Sequence, residues 1–186
     1  MTRYVALLRG INVGGNNLIK MVELKACFEE EGFGAVRTYI QSGNVLFDAP
    51  ALGRAKLTRR VEAAIEKAFA VNAAAVVRSR KDLEEVVASA PAGFGKRSGY
   101  RYDVIFLKEP LKAAAALRDV PIREGVDQAS AGKGVLYFSR LDERASQSRL
   151  SKIVGLPMYK NITIRNWNTT TKVLRLMQAA PEQQQS

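Results

Sequence analysis

The first half of the chain alternates between apolar runs typical of buried strands and apolar residues at helical spacing. Residues 3–9 form a run that is apolar on both faces, which predicts a central strand covered on both sides. Leu24, Cys27 and Phe28 then recur on one face of a helix that ends at Gly32, so we interpret Cys27 as a core residue. Two strands, a helix and a fourth strand follow at residues 35–40, 44–48, 57–68 and 73–78. This β-α-β-β-α-β order is that of the ferredoxin-like unit.

An extra helix follows this unit. Ser79 and Asp82 have the spacing of a capping box, in which each side chain binds the main-chain N–H of the other residue. Pro91 ends the helix, and residues 91–99 contain three glycines, which makes them the best candidate for a linker.

The order of elements then repeats. The pattern predicts strands at residues 102–107, 122–128, 134–139 and 159–165, and helices at residues 111–117 and 145–153. Val173, Leu174 and Met177 mark a last helix. Residues 77–79 resemble residues 164–166, and residues 43–47 resemble residues 134–138. These local matches support a duplication.

We therefore predict an α+β fold of two ferredoxin-like halves that arose by internal duplication, each followed by an extra helix. The first half with its helix covers residues 1–92, and the second half with the C-terminal helix covers residues 93–180. Residues 181–186, with three glutamines, are predicted to form a disordered tail.

The composition excludes several classes of function. Histidine is absent and Cys27 is the only cysteine, which excludes Cys/His zinc sites, catalytic triads with histidine, and internal disulfides. We expect no metal site and no cofactor. The sequence has neither a long apolar run nor a charged start followed by an apolar stretch. We therefore expect no membrane helix, no secretory signal and a cytoplasmic location.

The charge is strongly basic and uneven. The chain has 29 basic and 18 acidic residues, a net charge of +11, and residues 96–186 carry 16 basic against 8 acidic residues, a net of +8. Such a domain attracts anions, including nucleotides, nucleic acid and phosphorylated metabolites. Many basic proteins bind nothing through their charge, so charge alone does not assign a ligand.

Three polar segments, residues 9–17, 39–44 and 165–172, are candidates for binding. The first links a strand to a helix and can form an anion-binding nest, and the third joins the only tryptophan to cations and amides. Each segment also has a structural interpretation: a glycine turn, a hairpin turn, and a helix cap with a hydrophobic staple. The sequence leaves open whether the first two segments meet. The candidate ligand-binding residues are Arg9, Asn12, Gly14, Gly15, Gln41, Ser42, Asn44, Arg165, Asn166, Trp167, Asn168 and Lys172.

The same segments carry a resemblance to a known family. Residues 6–15 read ALLRGINVGG, residues 37–45 read RTYIQSGNV, and residues 165–169 read RNWNT. These strings resemble the motifs of the bacterial family called domain of unknown function 1697, and the resemblance covers nearly the whole chain. It implies a duplicated ferredoxin-like α+β fold without an assigned activity. One departure is Lys20, where the family often has proline, and which places a cation beside the first loop.

The side chains of the three polar segments are consistent with two functions, and a third is neither favoured nor excluded. Amides, hydroxyls and guanidiniums bind ligands but do not move protons near neutral pH. We therefore expect a binding module for an anionic ligand, either a nucleotide-like small molecule or nucleic acid. The alternative is an enzyme that stabilises a phosphorylated substrate through its arginines and lysines. An interaction protein that uses a sheet edge is neither favoured nor excluded, and the oligomeric state is unknown. Asp48 and Asp103 lie near strand ends, and we interpret them as solvated or capping.

Overall fold

The computed structural model describes residues 1–12, 15, 17–41 and 43–179, which form two compact units. The first unit comprises Met1–Leu83 and the C-terminal segment from Lys172 onward, and the second comprises Glu84–Thr171. The predicted boundary between residues 92 and 93 follows the sequence repeat and stays a prediction. The tail predicted at 181–186 lies outside the described residues. Among the described residues, no helix combines the length and apolarity that crossing a membrane requires.

The first unit is built on one antiparallel sheet. Its strands are β1 (Thr2–Arg9), β2 (Gly34–Tyr39), β3 (Asn44–Ala49) and β4 (Ala74–Ser79), in the order β2-β3-β1-β4. Its helices are α1 (Met21–Glu30) and α2 (Arg54–Phe69). Phe28, Phe33 and Phe47 pack together in the core, and α2 contributes Leu57, Val61 and Ile65, one face of the predicted amphipathic helix. Cys27 is buried as predicted, and its Sγ donates to the main-chain oxygen of Ala64.

The extra helix α3 (Arg80–Ala88) begins with the predicted capping box. The main-chain N–H of Ser79 donates to the carboxylate of Asp82 at 2.9 Å, and the N–H of Asp82 donates to Oγ of Ser79 at 3.1 Å. This reciprocal pair satisfies donors that the first turn of a helix leaves without partners. Within the second unit, Tyr137 donates from its hydroxyl to the main-chain oxygen of Val86 at 2.7 Å, and burial raises the pKa of this tyrosine to about 12.

The second unit repeats the sheet. Its strands are β5 (Tyr100–Leu107), β6 (Asp127–Gly132), β7 (Val135–Leu141) and β8 (Ile162–Asn166), in the order β6-β7-β5-β8, and its helices are α4 (Ala113–Asp119) and the start of α5 (Trp167–Gln178). The position of the first strand is therefore the same in both sheets. The fold is α+β with two similar halves, consistent with a duplicated unit.

Two predicted elements of the second half are wrong in detail. Residues 145–153 do not form the predicted helix: three short 3₁₀ helices, Ala145–Gln147, Leu150–Gly155 and Pro157–Asn161, connect β7 to β8. Gly155 and Pro157 disfavour a continued α-helix here. The strand predicted at residues 122–128 begins only at Asp127, because residues 123–127 form a turn in which the oxygen of Arg123 accepts from two N–H groups.

The local matches found in the sequence are equivalent positions of the two sheets. Leu8 of β1 donates from its N–H to the oxygen of Gly43 at 2.8 Å, and Leu107 of β5 donates in the same way to Gly134 at 3.0 Å. Residues 43–47 therefore correspond to residues 134–138 in three dimensions, as the sequence match suggested.

Candidate functional site

The first two polar segments meet in the first unit through Asn12. Its Nδ2 donates to the main-chain oxygens of Ile19 and Gln41, both at 3.0 Å, while its Oδ1 accepts from the N–H of Ile19 at 2.7 Å. Asn12 itself has a φ of 51°, a conformation that asparagine tolerates better than most residues. The side chain of Asn12 therefore holds the loop after β1 against the turn before β3.

The second polar segment has a structural role at its end. Asn44 is fully buried, and its Nδ2 donates to the main-chain oxygen of Tyr39 at 2.9 Å. Gly43 has a φ of 80°, and a Cβ there would lie 2.9 Å from side-chain atoms of both Ile11 and Leu8. Only glycine fits this position without strain. The asparagine and the glycine thus maintain the hairpin turn, so we leave Asn44 out of the site proposed below.

The remaining candidate residues of the first two segments differ in their exposure to solvent. Gly14 and Ser42 lie outside the described residues. Arg9 is half-buried at the end of β1, whereas Gly15 and Gln41 are exposed. These residues stay candidates for binding.

The third polar segment forms the junction between β8 and α5. Arg165 is buried, and its Nη1 donates to Oγ1 of Thr163 at 3.0 Å and to the oxygen of Ile164 at 2.9 Å. Burial lowers the pKa of Arg165 to about 10. Asn166 is the cap of α5, because its Oδ1 accepts from the N–H of Thr169 at 2.7 Å. Lys172 is exposed on α5.

A cavity of about 510 Å³ opens in the second unit beside this junction. We call it the Trp167 pocket. It is lined by three arginines, three aromatic rings, two amides, a carboxylate and a glycine: Arg97, Arg101, Arg140, Tyr100, Tyr102, Trp167, Asn166, Asn168, Asp103 and Gly95. β8 pairs with β5 only from Asp103 to Leu107, so the pocket lies where β5 continues beyond β8.

Contacts among the rings and arginines order the pocket wall. Phe94 meets the Trp167 ring edge to face, with 5.1 Å between ring centroids. A Cβ at Gly95 would overlap Nε1 and Cδ1 of Trp167, so the loop main chain lies directly against the indole. The guanidinium of Arg97 lies 4.4 Å from the ring centroid of Tyr100, at cation–π distance.

Asp103 and Arg140 form an ion pair in the wall of this pocket. Oδ2 of Asp103 lies 3.3 Å from Nη2 of Arg140, and their side chains are 11% and 21% exposed. Burial raises the pKa of Asp103, while the positive charges of Arg140 and Arg101 oppose that rise. Asp103 is therefore a buried carboxylate, and its interpretation as a solvated or capping residue was wrong.

Comparison with known proteins assigns a family. The model of the family described as "Protein of unknown function (DUF1697)" matches residues 1–137. The chain belongs to the DUF1697 family. A conserved bacterial protein of Streptococcus pneumoniae, SP0830, has a similar solved structure: its TM-score is 0.82, its sequence identity is 27%, and the similarity covers 96% of this chain and 99% of that one. No curated protein matches.

The DUF1697 match includes part of the Trp167 pocket. Residues 95–103 lie within the matched range, whereas Arg140 and the third polar segment follow its end. The similarity to SP0830 extends over nearly the whole chain and so covers both units. The family description assigns no activity, so the chemistry of the site must be argued from its residues.

Sequence reasoning found part of this site. It named Asn166, Trp167 and Asn168, which line the pocket, and Arg165, which does not. It missed the arginines and tyrosines that residues 95–103 and β7 contribute, because no local motif links these segments. The excess of basic residues in residues 96–186 was a signal that could have pointed to this half of the chain. Within the described residues, no cluster of three or more acidic or cysteine side chains could hold a metal ion.

Proposed function

We propose that the protein is a binding module for an anionic ligand that carries a flat ring, bound in the Trp167 pocket. One observation supports this proposal above all: three arginines and three aromatic rings line a single cavity of about 510 Å³. Pockets that hold small molecules have volumes of about 300–1,000 Å³. A free nucleotide and a nucleotide within nucleic acid share the required chemistry.

The arginines would recognise the anionic group. Arg97 and Arg101 are exposed, and Arg140 is half-buried. A guanidinium can donate two parallel hydrogen bonds to a phosphate, which gives both affinity and orientation. The net charge of +8 over residues 96–186 would also attract an anion before contact is made.

The aromatic rings and amides would recognise the ring of the ligand. Tyr100 already has the planar guanidinium of Arg97 near its ring, and Trp167 is only half-buried. Stacking a base on an aromatic side chain contributes about 1–3 kcal/mol. Asn166 and Asn168 are exposed at the pocket, and their amides can both donate to and accept from the edge of a base.

An enzyme acting on a phosphorylated substrate is the alternative. Phosphoryl transfer depends chiefly on positioning and on cations, which the same arginines would supply. No observation favours the enzyme over the binding module, and the binding experiment below distinguishes the two. A cytoplasmic location, expected from the sequence, stays part of the proposal.

The single tryptophan makes binding measurable without a label. The full-length protein is titrated with AMP, GMP, CMP, UMP, inorganic phosphate and a single-stranded octanucleotide while Trp167 fluorescence is followed, and calorimetry gives a second readout. We expect a nucleotide or the octanucleotide to change the fluorescence and inorganic phosphate alone to bind more weakly. Release of phosphate from any of these nucleotides would favour the enzyme alternative.

Two arginine variants test whether the pocket is the binding site. Arg97→Ala removes a cation that lines the pocket, and Arg59→Ala removes an exposed cation on α2 in the first unit. We expect Arg97→Ala to weaken binding and Arg59→Ala to leave it unchanged. Equal losses in both variants, or no binding of any probe at millimolar concentration, would contradict the proposal.

A further inference from the structure

At one pair of equivalent sheet positions, the first half has uncharged residues and the second half has two charged residues. Tyr4 lies opposite Phe47 and Ser79 in the first sheet, just as Asp103 lies opposite Phe138 and Asn166 in the second. Asp103 is thus the counterpart of Tyr4.

The second member of the pair follows from the same register. Ala49 lies opposite Thr2 in the first sheet, and Arg140 lies opposite Arg101 in the second, so Arg140 is the counterpart of Ala49. An apolar tyrosine–alanine pair in one half corresponds to a carboxylate and a guanidinium in the other.

The first half shows that this fold packs well without the charged pair. Tyr4 and Ala49 are 4% and 0% exposed, and the Tyr4 ring stacks on Phe47 with 5.8 Å between centroids. A buried ion pair is often no more stabilising than apolar residues of similar volume, because both charges must leave water. Fold stability therefore does not account for the presence of Asp103 and Arg140.

The geometry of the pair leaves hydrogen-bonding capacity unused. The contact between Oδ2 and Nη2 is 3.3 Å long, which exceeds the usual distance of about 2.7–2.9 Å in a charge-assisted arginine–carboxylate hydrogen bond. Within the described part of the chain, Oδ2 of Asp103 accepts no hydrogen bond and Nε of Arg140 donates none. Both residues line the Trp167 pocket.

We propose that Asp103 is a positioning residue that holds the guanidinium of Arg140 in the pocket wall, where Arg140 binds the anionic group of the ligand. This inference rests on the proposed function. Asp127, the other carboxylate near Arg140, lies opposite it on β6 but accepts from the N–H groups of Arg123 and Arg149. Asp103 is therefore the carboxylate that contacts the guanidinium.

Positioning and simple electrostatics predict opposite effects for the same substitution. A carboxylate near an anion site repels the ligand, so loss of its charge alone should strengthen binding. If Asp103 instead orients Arg140, Asp103→Asn should weaken binding although the net charge becomes more positive. The sign of the change in Kd thus separates the two roles.

The experiment measures the Kd of AMP and of a single-stranded octanucleotide for full-length variants. We expect Asp103→Asn to weaken binding about tenfold or more, the size of effect that follows replacement of a residue that orients a metal ligand. Asp119→Asn is the control, because Asp119 is exposed at the end of α4 in the same unit and does not line the Trp167 pocket. It removes the same charge and should leave binding unchanged or stronger.

A double-mutant cycle distinguishes positioning from general damage to the fold. Once Arg140→Gln has removed the guanidinium, Asp103→Asn should change Kd less than twofold. Asp103→Glu should keep most of the affinity, because it keeps the carboxylate. If Asp103→Asn fails to fold, Asp103→Glu takes its place in the test. Combined with Arg140→Lys, Asp103→Glu should then lose affinity, because the lysine ammonium lacks the planar fork of a guanidinium.

The outcomes separate this inference from the proposed function. If the wild type binds AMP or the octanucleotide and Asp103→Asn binds as well or better, Asp103 does not position Arg140 and the proposed function stands. If the effects of Asp103→Asn and Arg140→Gln add in the double variant, the inference also fails. If the wild type binds neither probe, both proposals fail.

Discussion

Arg78 and Arg165 hold equivalent positions, and both guanidiniums turn back to the main chain of their own strand. Arg78 lies opposite Val5 of β1 and Arg165 lies opposite Val104 of β5. In each case Nη1 donates at 2.9 Å to the oxygen of the preceding residue. Both are buried, and Arg165 is therefore part of the folded framework despite its place in a polar motif.

Arg165→Ala should destabilise the fold rather than act on binding alone. The substitution removes two hydrogen bonds and takes this donor from the buried Oγ1 of Thr163 and the part-buried oxygen of Ile164, so we expect a loss of about 2 kcal/mol or more in the free energy of unfolding. Arg175→Ala, at an exposed position on α5, is the control and should stay within about 0.5 kcal/mol. Urea unfolding measures both, and equal stabilities would show that Arg165 is not structural.

Gly95→Ala should displace the indole of Trp167. Gly95 and Gly99 have φ values of +77° and +74°, so alanine adds about 1–2 kcal/mol of backbone strain at either position. Only at Gly95 does the new methyl group collide with Trp167; at Gly99 it meets nothing within 4 Å. We expect a shifted Trp167 emission spectrum and weaker nucleotide binding in Gly95→Ala but not in Gly99→Ala. Identical spectra in the two variants would contradict the packing described here.

At the scale of elements, Asn166 has two roles, one in capping a helix and one in lining the pocket. It caps α5 through its Oδ1 while its side chain lines the Trp167 pocket. Aspartate is an equally good cap and suits the positive end of the helix dipole, but it adds a negative charge where an anion would bind. The two roles can therefore be separated by substitution.

Asn166→Asp should keep the stability of the wild type and lose affinity. We expect a change of less than about 0.5 kcal/mol in the free energy of unfolding, whereas Asn166→Ala should lose about 1 kcal/mol with its cap. Thermal unfolding and nucleotide titration on the same samples test this. Tighter AMP binding by Asn166→Asp would show that the pocket does not take the anion near this residue.

Elements marked by strong local signals could be predicted from the sequence, and others could not. The capping box of Ser79 and Asp82 was predicted and is confirmed, because it depends on residues three positions apart. The helix predicted at residues 145–153 was wrong. The prediction followed the spacing of apolar residues and gave too little importance to the serines in this segment and to the following Gly155 and Pro157. Local spacing identifies an element only when the flanking residues agree with it.

The candidate site was predictable only where it is continuous in sequence. Asn166, Trp167 and Asn168 form one segment at a helix start, and their pattern indicated a site. Arg140 joins them because β7 pairs with β5, which no local pattern reveals. Asp103 looked like an isolated acid, and its significance appears only when the register places it where the other half has Tyr4.

At the scale of the whole molecule, the two similar halves differ in charge. Residues 1–95 carry 13 basic and 10 acidic residues, a net of +3, against +8 for residues 96–186. A shared fold therefore does not impose a shared charge, and the half that contains the Trp167 pocket carries most of the excess. This asymmetry is expected if only one half binds an anion.

Binding of a single-stranded octanucleotide should weaken as the salt concentration rises, and the steepness of this loss should reflect the number of arginines that contact phosphates. Each phosphate contact on a single strand contributes roughly 0.7 to the slope of log affinity against log salt concentration, so contacts from Arg97, Arg101 and Arg140 predict a slope of about −2. Arg97→Ala should reduce that slope by about 0.7, and Arg59→Ala should leave it unchanged. Titrations between low and moderate potassium chloride give the slopes. Affinity that stays constant over this range would mean that the arginines do not contact the phosphates, and the ligand would then have to be sought among uncharged molecules.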